Sequence, residues 1–221
     1  PSPVAAALLA QKAGADGITA HLREDRRHIK DEDINDLKQA IDIPLNFEMA
    51  ATQEMLENAL RVRPNAACIV PERREELTTE GGLAVAGQET RLAPMIDQLK
   101  KAGIRVSLFV DADEQELQAA AKLGADIVEL HTGRYCDSPA GERRQHEARR
   151  IAHGAHFAHA LGLEVHAGHG LSFETVADIA AMPEIVELNI GHFLIGASVF
   201  TGLEDAINQM RNLMDEARKR V

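Results

Sequence analysis

Four times in this chain of 221 residues an amphipathic stretch runs into a glycine and then a short apolar run. The unit reads Lys12-Ala13-Gly14-Ala15-Asp16-Gly17-Ile18, Lys101-Ala102-Gly103-Ile104-Arg105-Val106, Lys122-Leu123-Gly124-Ala125-Asp126-Ile127 and Ala160-Leu161-Gly162-Leu163-Glu164-Val165. A glycine just past a helix takes the left-handed conformation that closes it, and the run that follows has the composition of a strand. Extended along the chain, the pattern predicts a first helix from Pro1 to Ala13, then seven strands at about 17–22, 43–49, 66–71, 105–111, 127–132, 164–168 and 185–190. Helical patterns follow at about 31–41, 52–62, 88–102, 113–123, 141–161, 172–181 and 203–219. Strict alternation of strand and helix implies βαβ units and a parallel sheet.

Strand interiors separate a closed barrel from an open, doubly wound sheet. Leu45, Phe47 and Met49 alternate with Asn46 and Glu48; Val128 and Leu130 with Glu129 and His131; Val186, Leu188 and Ile190 with Glu187 and Asn189. Successive strand residues face opposite ways, so each strand has one apolar and one polar face. A doubly wound sheet is covered on both faces and reads as continuously apolar, whereas a barrel with a polar upper interior reads like this chain. No Gly-x-Gly-x-x-Gly follows a strand, which leaves a dinucleotide fold without support. The expected fold is an α/β (β/α)8 barrel formed by residues 1–221 as one domain, with its first strand expected ahead of Pro1.

Composition narrows the partners. The formal net charge of −11 and a pI near 5.4 argue against a nucleic-acid surface, which needs a basic stripe. No apolar run approaches the roughly 18 residues of a membrane span. Cys68 and Cys136 sit in no metal-ligand spacing, so a reducing cytoplasm is the expected setting.

Chemistry gathers at the strand ends. The segment His21-Leu22-Arg23-Glu24-Asp25-Arg26-Arg27-His28 carries seven ionisable side chains in eight positions. Histidine beside arginine offers proton transfer next to phosphate recognition, and a salt-bridged helix entry is the alternative. Glu48 ends its strand where barrel active sites lie and is a candidate general base or acid, or one half of a buried ion pair. Glu129 and His131 share the next polar strand face, Glu129 deeper and better placed to stabilise charge. In Ala167-Gly168-His169-Gly170-Leu171-Ser172 the glycines let the backbone approach a ligand under His169, with Ser172 expected to cap the following helix. Gly191 and His192 close the last strand, where barrels often hold phosphate. Thr78-Thr79-Glu80-Gly81-Gly82 is expected to be a hydroxyl-bearing lid, or else a flexible loop. Ten histidines and many carboxylates keep a metal site open as a rival, although no His-x-His or His-Glu-x-x-His pattern occurs.

Taken together, Gly14 to Ile29, Asn46-Phe47-Glu48-Met49-Ala50, Val70 to Gly82, Glu129-Leu130-His131-Thr132-Gly133, Ala167 to Leu171 and Glu187 to His192 resemble the pyridoxine 5′-phosphate synthase family across the whole chain. The resemblance implies a (β/α)8 barrel that condenses 1-deoxy-D-xylulose 5-phosphate with 3-amino-2-oxopropyl phosphate, without metal or redox cofactor, as a homo-octamer. By position, His21 and Glu48 resemble proton acceptors, His169 a proton donor and Glu129 a charge-stabilising carboxylate. Arg23, His28, Thr78, Gly170, Gly191 and His192 resemble substrate- and phosphate-binding positions. The family's leading strand, with its substrate-contacting Asn and Asp-His pair, has no counterpart from Pro1 onward. Two other readings compete: another phosphosugar aldolase or isomerase, for which a strand-end Schiff-base lysine is wanting, and a non-catalytic barrel subunit.

Overall fold

The computed structural model describes residues 1–78 and 81–219; Thr79 and Glu80 of the expected lid lie outside the described residues. Helix α1 (Pro3–Lys12) leads into seven strands: β1 (Ile18–His21), β2 (Leu45–Ala50), β3 (Ala66–Val70), β4 (Arg105–Val110), β5 (Ile127–His131), β6 (Glu164–Gly168) and β7 (Ile185–Asn189). Between and after them lie α2 (Asp31–Ala40), α3 (Gln53–Val62), α4 (Glu89–Lys101), α5 (Glu114–Lys122), α6 (Gly133–Asp137), α7 (Glu142–Ala160), α8 (Val176–Ala180), α9 (His192–Thr201) and α10 (Leu203–Arg218). All seven strands pair in parallel, in the order β1-β2-β3-β4-β5-β6-β7. This is the curled sheet of a (β/α)8 barrel, with seven of its strands among the described residues.

The repeated glycines close their helices as their sequence context predicts. Gly14, Gly103, Gly124 and Gly162 have φ of +97°, +78°, +75° and +84°. Each glycine N–H reaches back to the carbonyl three residues earlier, and the next N–H to the carbonyl five residues earlier, as in Gly103 to Lys100 at 2.9 Å and Ile104 to Leu99 at 3.1 Å. These are four copies of one Schellman closure, and each turns the chain directly into the next strand.

Alternation then sorts the faces. Leu45, Phe47, Met49, Leu108, Leu130 and Val165 are fully or almost fully buried between sheet and helices, in one continuous apolar cluster. The intervening Glu48, Ser107, Glu129 and His166 share the opposite, inner face. The burial of apolar surface under the helices is the main stabilising term, and it forces the polar residues inward.

Two local expectations are corrected. The helix expected at about 172–181 is the shorter α8, with Thr175 rather than Ser172 at its N-cap. The Ser172 N–H instead donates to Thr175 Oγ1 at 2.9 Å, so the intervening residues form a turn. The expected helices omit α9, whose sequence is apolar all round and lacks the stripe that marks an amphipathic helix.

Gly103 has open space where a Cβ would sit, so Gly103→Ala tests the backbone alone. The left-handed conformation costs an L-residue about 1–2 kcal/mol. Urea unfolding should show a stability loss of that size, and an unchanged midpoint would contradict the closure.

Candidate active site

The C-terminal strand ends bring three groups of ionisable side chains to one rim. The first surrounds His21, the last residue of β1. Its Nε2 lies 2.8 Å from Glu72 Oε1 and its Nδ1 3.7 Å from Glu48 Oε1. Glu72 also accepts the Glu24 N–H at 3.0 Å, which ties the charged loop after β1 to the end of β3. Glu48 is the register partner of His21 on β2. Burial, with the Glu72 charge adding to it, raises the Glu48 proton affinity against the opposing pull of His21 and Arg23. A carboxylate so placed is a stronger base than one in water.

The charged loop divides into two parts. Arg26 pairs with Asp31 and Glu54 and donates to the Arg23 and Glu24 carbonyls, while Arg27 pairs with Asp25. These residues build the salt-bridged helix entry weighed above. His21 faces the rim instead; Arg23, its Nε 3.4 Å from Asp25 Oδ1, also acts on Glu48 by its charge, and His28 is exposed.

The second group centres on Glu129, buried in the middle of β5. Asn189 Nδ2 donates to its Oε2 at 3.0 Å, and the Cys68 thiol approaches the same oxygen at 3.8 Å. Asn189 Oδ1 in turn accepts from Thr19 Oγ1 at 2.6 Å, a contact from β1 to β7 across the inner face. Among the described residues no cation pairs with Glu129. Desolvation pushes its carboxyl well above the ordinary range, and the charges of Glu48 and Glu187 push it further. Gly168 makes room for this carboxyl: a Cβ there would lie 2.1 Å from Glu129 Oε1.

The third group surrounds His169. This residue has φ of +74°, a left-handed conformation rare outside glycine, and Gly170 follows at +88°. Held strain at a non-glycine residue marks a position the surroundings over-determine. The ring lies 5.0 Å, centroid to centroid, from that of His131, with Phe109 packed against both. His169 is exposed at the rim; partial desolvation by its neighbours lowers its proton affinity, as do the charges of His131 and His192, with Asp137 opposing. His131 Nδ1 lies 3.3 Å from Asp111 Oδ1 at the end of β4. Thr78 Oγ1 donates to the other Asp111 oxygen. Gly82, in the same loop, abuts the backbone of Val110 and Asp111 so closely that a Cβ would lie 2.6 Å from Asp111 N.

The sequence-selected residues His21, Glu48, Glu129, His169, Thr78 and Arg23 thus converge on one rim, and Gly170 lies beside His169. Gly191 is the N-cap of α9 and His192 its first residue, both exposed. Glu72, Asp111 and Asn189 were missed as site residues. Among the described residues no three His, Cys, Asp or Glu side chains are grouped to hold a metal ion, and no helix is long and apolar enough to cross a membrane.

The unpaired Glu129 carboxyl has a measurable thermodynamic consequence. A folded-state proton affinity raised above the unfolded value stabilises the fold fully only below the unfolded pKa, and that benefit is lost as pH rises towards the folded value. Glu129→Gln removes the titration. The variant should therefore gain stability over the parent at about pH 8, with the gain shrinking towards about pH 4.5. Thermal unfolding across pH checks this, and a pH-independent difference would contradict it.

Comparison with known proteins agrees with this architecture. Residues 1–216 match the family described as pyridoxal phosphate biosynthesis protein PdxJ. The pyridoxine 5′-phosphate synthase of Jannaschia sp. is 63% identical over 221 residues, covering 99% of this chain and 89% of that protein. The synthase of Rhodospirillum rubrum is 62% identical over 217 residues, covering 98% and 87%. Among solved structures, phosphoribosyl anthranilate isomerase from Thermus thermophilus superposes with a TM-score of 0.65 at 15% identity, over 98% of this chain and 96% of that one. That likeness carries the barrel fold alone, whereas the first three findings establish that the chain belongs to the PdxJ family of pyridoxal phosphate biosynthesis proteins.

Proposed function

We propose that the chain is a pyridoxine 5′-phosphate synthase, a transferase that condenses 1-deoxy-D-xylulose 5-phosphate with 3-amino-2-oxopropyl phosphate. The products are pyridoxine 5′-phosphate, inorganic phosphate and water. The observation that carries this reading is the set of His21, Glu48, Glu129 and His169 on one rim, with Glu48 raised and His169 lowered in proton affinity. The two groups are thus shifted in opposite directions, an arrangement suited to a carboxyl that takes up protons and an imidazolium that gives them up.

The condensation demands such exchange. Imine formation, dehydration, phosphate loss and ring closure each remove a proton from one atom and deliver one to another. Glu48 and His21 act as proton acceptors; Glu72 holds His21 by its Nε2 and leaves Nδ1 towards Glu48. His169 is the donor, and its lowered proton affinity makes its conjugate acid the readier source. Glu129, its carboxyl buried and its proton affinity raised, stabilises charge that develops above it.

Two phosphorylated substrates need two anion sites. Arg23 with His28 serves one. Gly170, Gly191 and His192 serve the other, where the first turn of α9 presents backbone N–H groups. Thr78 contributes a hydroxyl from the loop that docks on β4, and closure of that loop excludes water from reactive imines. No metal or redox cofactor enters this scheme. The two thiols, Cys68 and Cys136, are free, in keeping with a reducing cytoplasm. The large exposed apolar side chains of α9, Ile195, Val199 and Phe200, are in keeping with a homo-oligomer, an octamer by resemblance.

The test is formation of pyridoxine 5′-phosphate from the two substrates in the presence of a chelator. Glu48→Gln and His169→Asn should each lower kcat by about 10²–10⁴-fold while circular dichroism stays unchanged. Full turnover in a folded variant would remove that residue's role, and absence of product from the parent protein would overturn the assignment.

A further inference from the structure

The Glu72 carboxylate serves two nitrogens at once. Its Oε1 lies 2.8 Å from His21 Nε2, and its Oε2 accepts the Glu24 N–H at 3.0 Å. The side chain is only 4% exposed, against 23% for His21, so water competes little for either oxygen. The main chain beneath it is fixed as well. Glu76 Oε2 accepts the N–H groups of Glu72 and Arg73 at 3.1 and 3.2 Å, and Glu76 is itself paired with Arg91. Glu24 is tied a second time, its carboxylate lying 2.9 Å from Arg73 Nη2. The loop after β1 and the segment after β3 therefore form one hydrogen-bonded unit with His21 at its inner edge. Glu48, the other carboxylate near the ring, lies 3.7 Å from Nδ1, beyond hydrogen-bond distance, and cannot orient the imidazole.

We propose that Glu72 is a positioning residue that holds the ring proton of His21 on Nε2 and so presents Nδ1 to the substrate as the base. The proposal rests on the reading of His21 as a proton acceptor, and it names the accepting atom. A carboxylate accepts hydrogens and donates none, and the bond made by one ring nitrogen decides what the other carries. With Nε2–H directed at Glu72, the unshared pair of Nδ1 points to the Glu48 side of the rim. When Nδ1 takes a proton, the electron pair of the broken bond stays on the substrate and the ring becomes an imidazolium. Its Nε2–H bond to Glu72 is then charge-assisted and stronger than before. Glu72 itself neither takes nor gives a proton. An amide cannot replace it. Both Glu24 N and His21 Nε2 present hydrogens, whereas glutamine has one acceptor oxygen and one NH2 group. The peptide N–H cannot change its role, so it keeps the oxygen. The NH2 group then meets His21 Nε2 and drives the ring proton to Nδ1.

The tautomer of His21 is read by nitrogen NMR on protein with isotope-labelled histidine, without substrate, at about pH 8, above the ordinary range of imidazole titration. The signals are assigned through His21→Asn. The parent protein should show a protonated Nε2 and an unprotonated Nδ1. A proton on Nδ1 in the parent, whether as the other tautomer or as an imidazolium, overturns the proposal. Glu72→Gln should move the proton to Nδ1 and lower kcat by about 10²-fold or more, with KM little changed. A Glu72 that only fastened the loop would leave the tautomer of the folded variant as it was, and that result overturns the proposal. Parental kcat in a variant whose tautomer has moved overturns it equally. Should Glu72→Gln fail to fold, the parent spectrum still decides, since it needs no variant. Product formation is assayed separately: product from a parent with Nδ1 protonated defeats this inference alone, whereas the expected tautomer in a protein that makes no product defeats the synthase reading.

Discussion

A buried carboxyl with no cation paired to it among the described residues, at the centre of a polar inner face, is the constraint around which the rim is arranged. Glu129 is buried, meets an amide and a thiol, and lies near the charges of Glu48 and Glu187. Ionised without a cation, it would carry a heavy desolvation cost. Its neighbours are chosen accordingly: Asn189 donates a hydrogen bond without contributing charge, Cys68 is kept as a thiol because burial pushes its pKa up, and Gly168 leaves the volume. A carboxyl kept protonated in this way can donate to developing negative charge, which an ionised one cannot.

The rest of the sheet supplies the opposite kind of group. Glu48 is mostly buried but has His21 and Arg23 nearby, so its proton affinity rises without the isolation of Glu129. His169 is drawn the other way by partial desolvation and by two neighbouring imidazoles. The same strand alternation that buries Phe47 and Leu130 under the helices sets these residues on one inner face. Stability and chemistry thus share a single geometric cause: the two-residue period of a strand decides both.

Much of this was legible in the residues. The four helix-closing glycines carried the element boundaries, because a left-handed closure has few chemical solutions. The alternation of Asn46 and Glu48 with Leu45 and Phe47 carried the polar face. Asp111 was not legible. In Asp111-Ala112-Asp113 either aspartate could cap α5; Asp113 does so, accepting from Gln115 N and Glu116 N, and only the fold shows Asp111 turned to His131. Glu72 was hidden in a run of five charged residues, of which Glu76 faces the Glu72 and Arg73 N–H groups and Glu72 faces His21. Arg26 illustrates the reverse. Its residue type promised anion binding, but Asp31 and Glu54 occupy it.

The protonation state of Glu129 can be observed without reference to turnover. The infrared difference spectrum between the parent protein and Glu129→Gln at neutral pH separates a protonated carboxyl stretch from the paired bands of a carboxylate. The account predicts loss of a protonated carboxyl band in the variant. Loss of carboxylate bands instead would mean that Glu129 is ionised at rest, and the charge-stabilising role derived from its burial would fall.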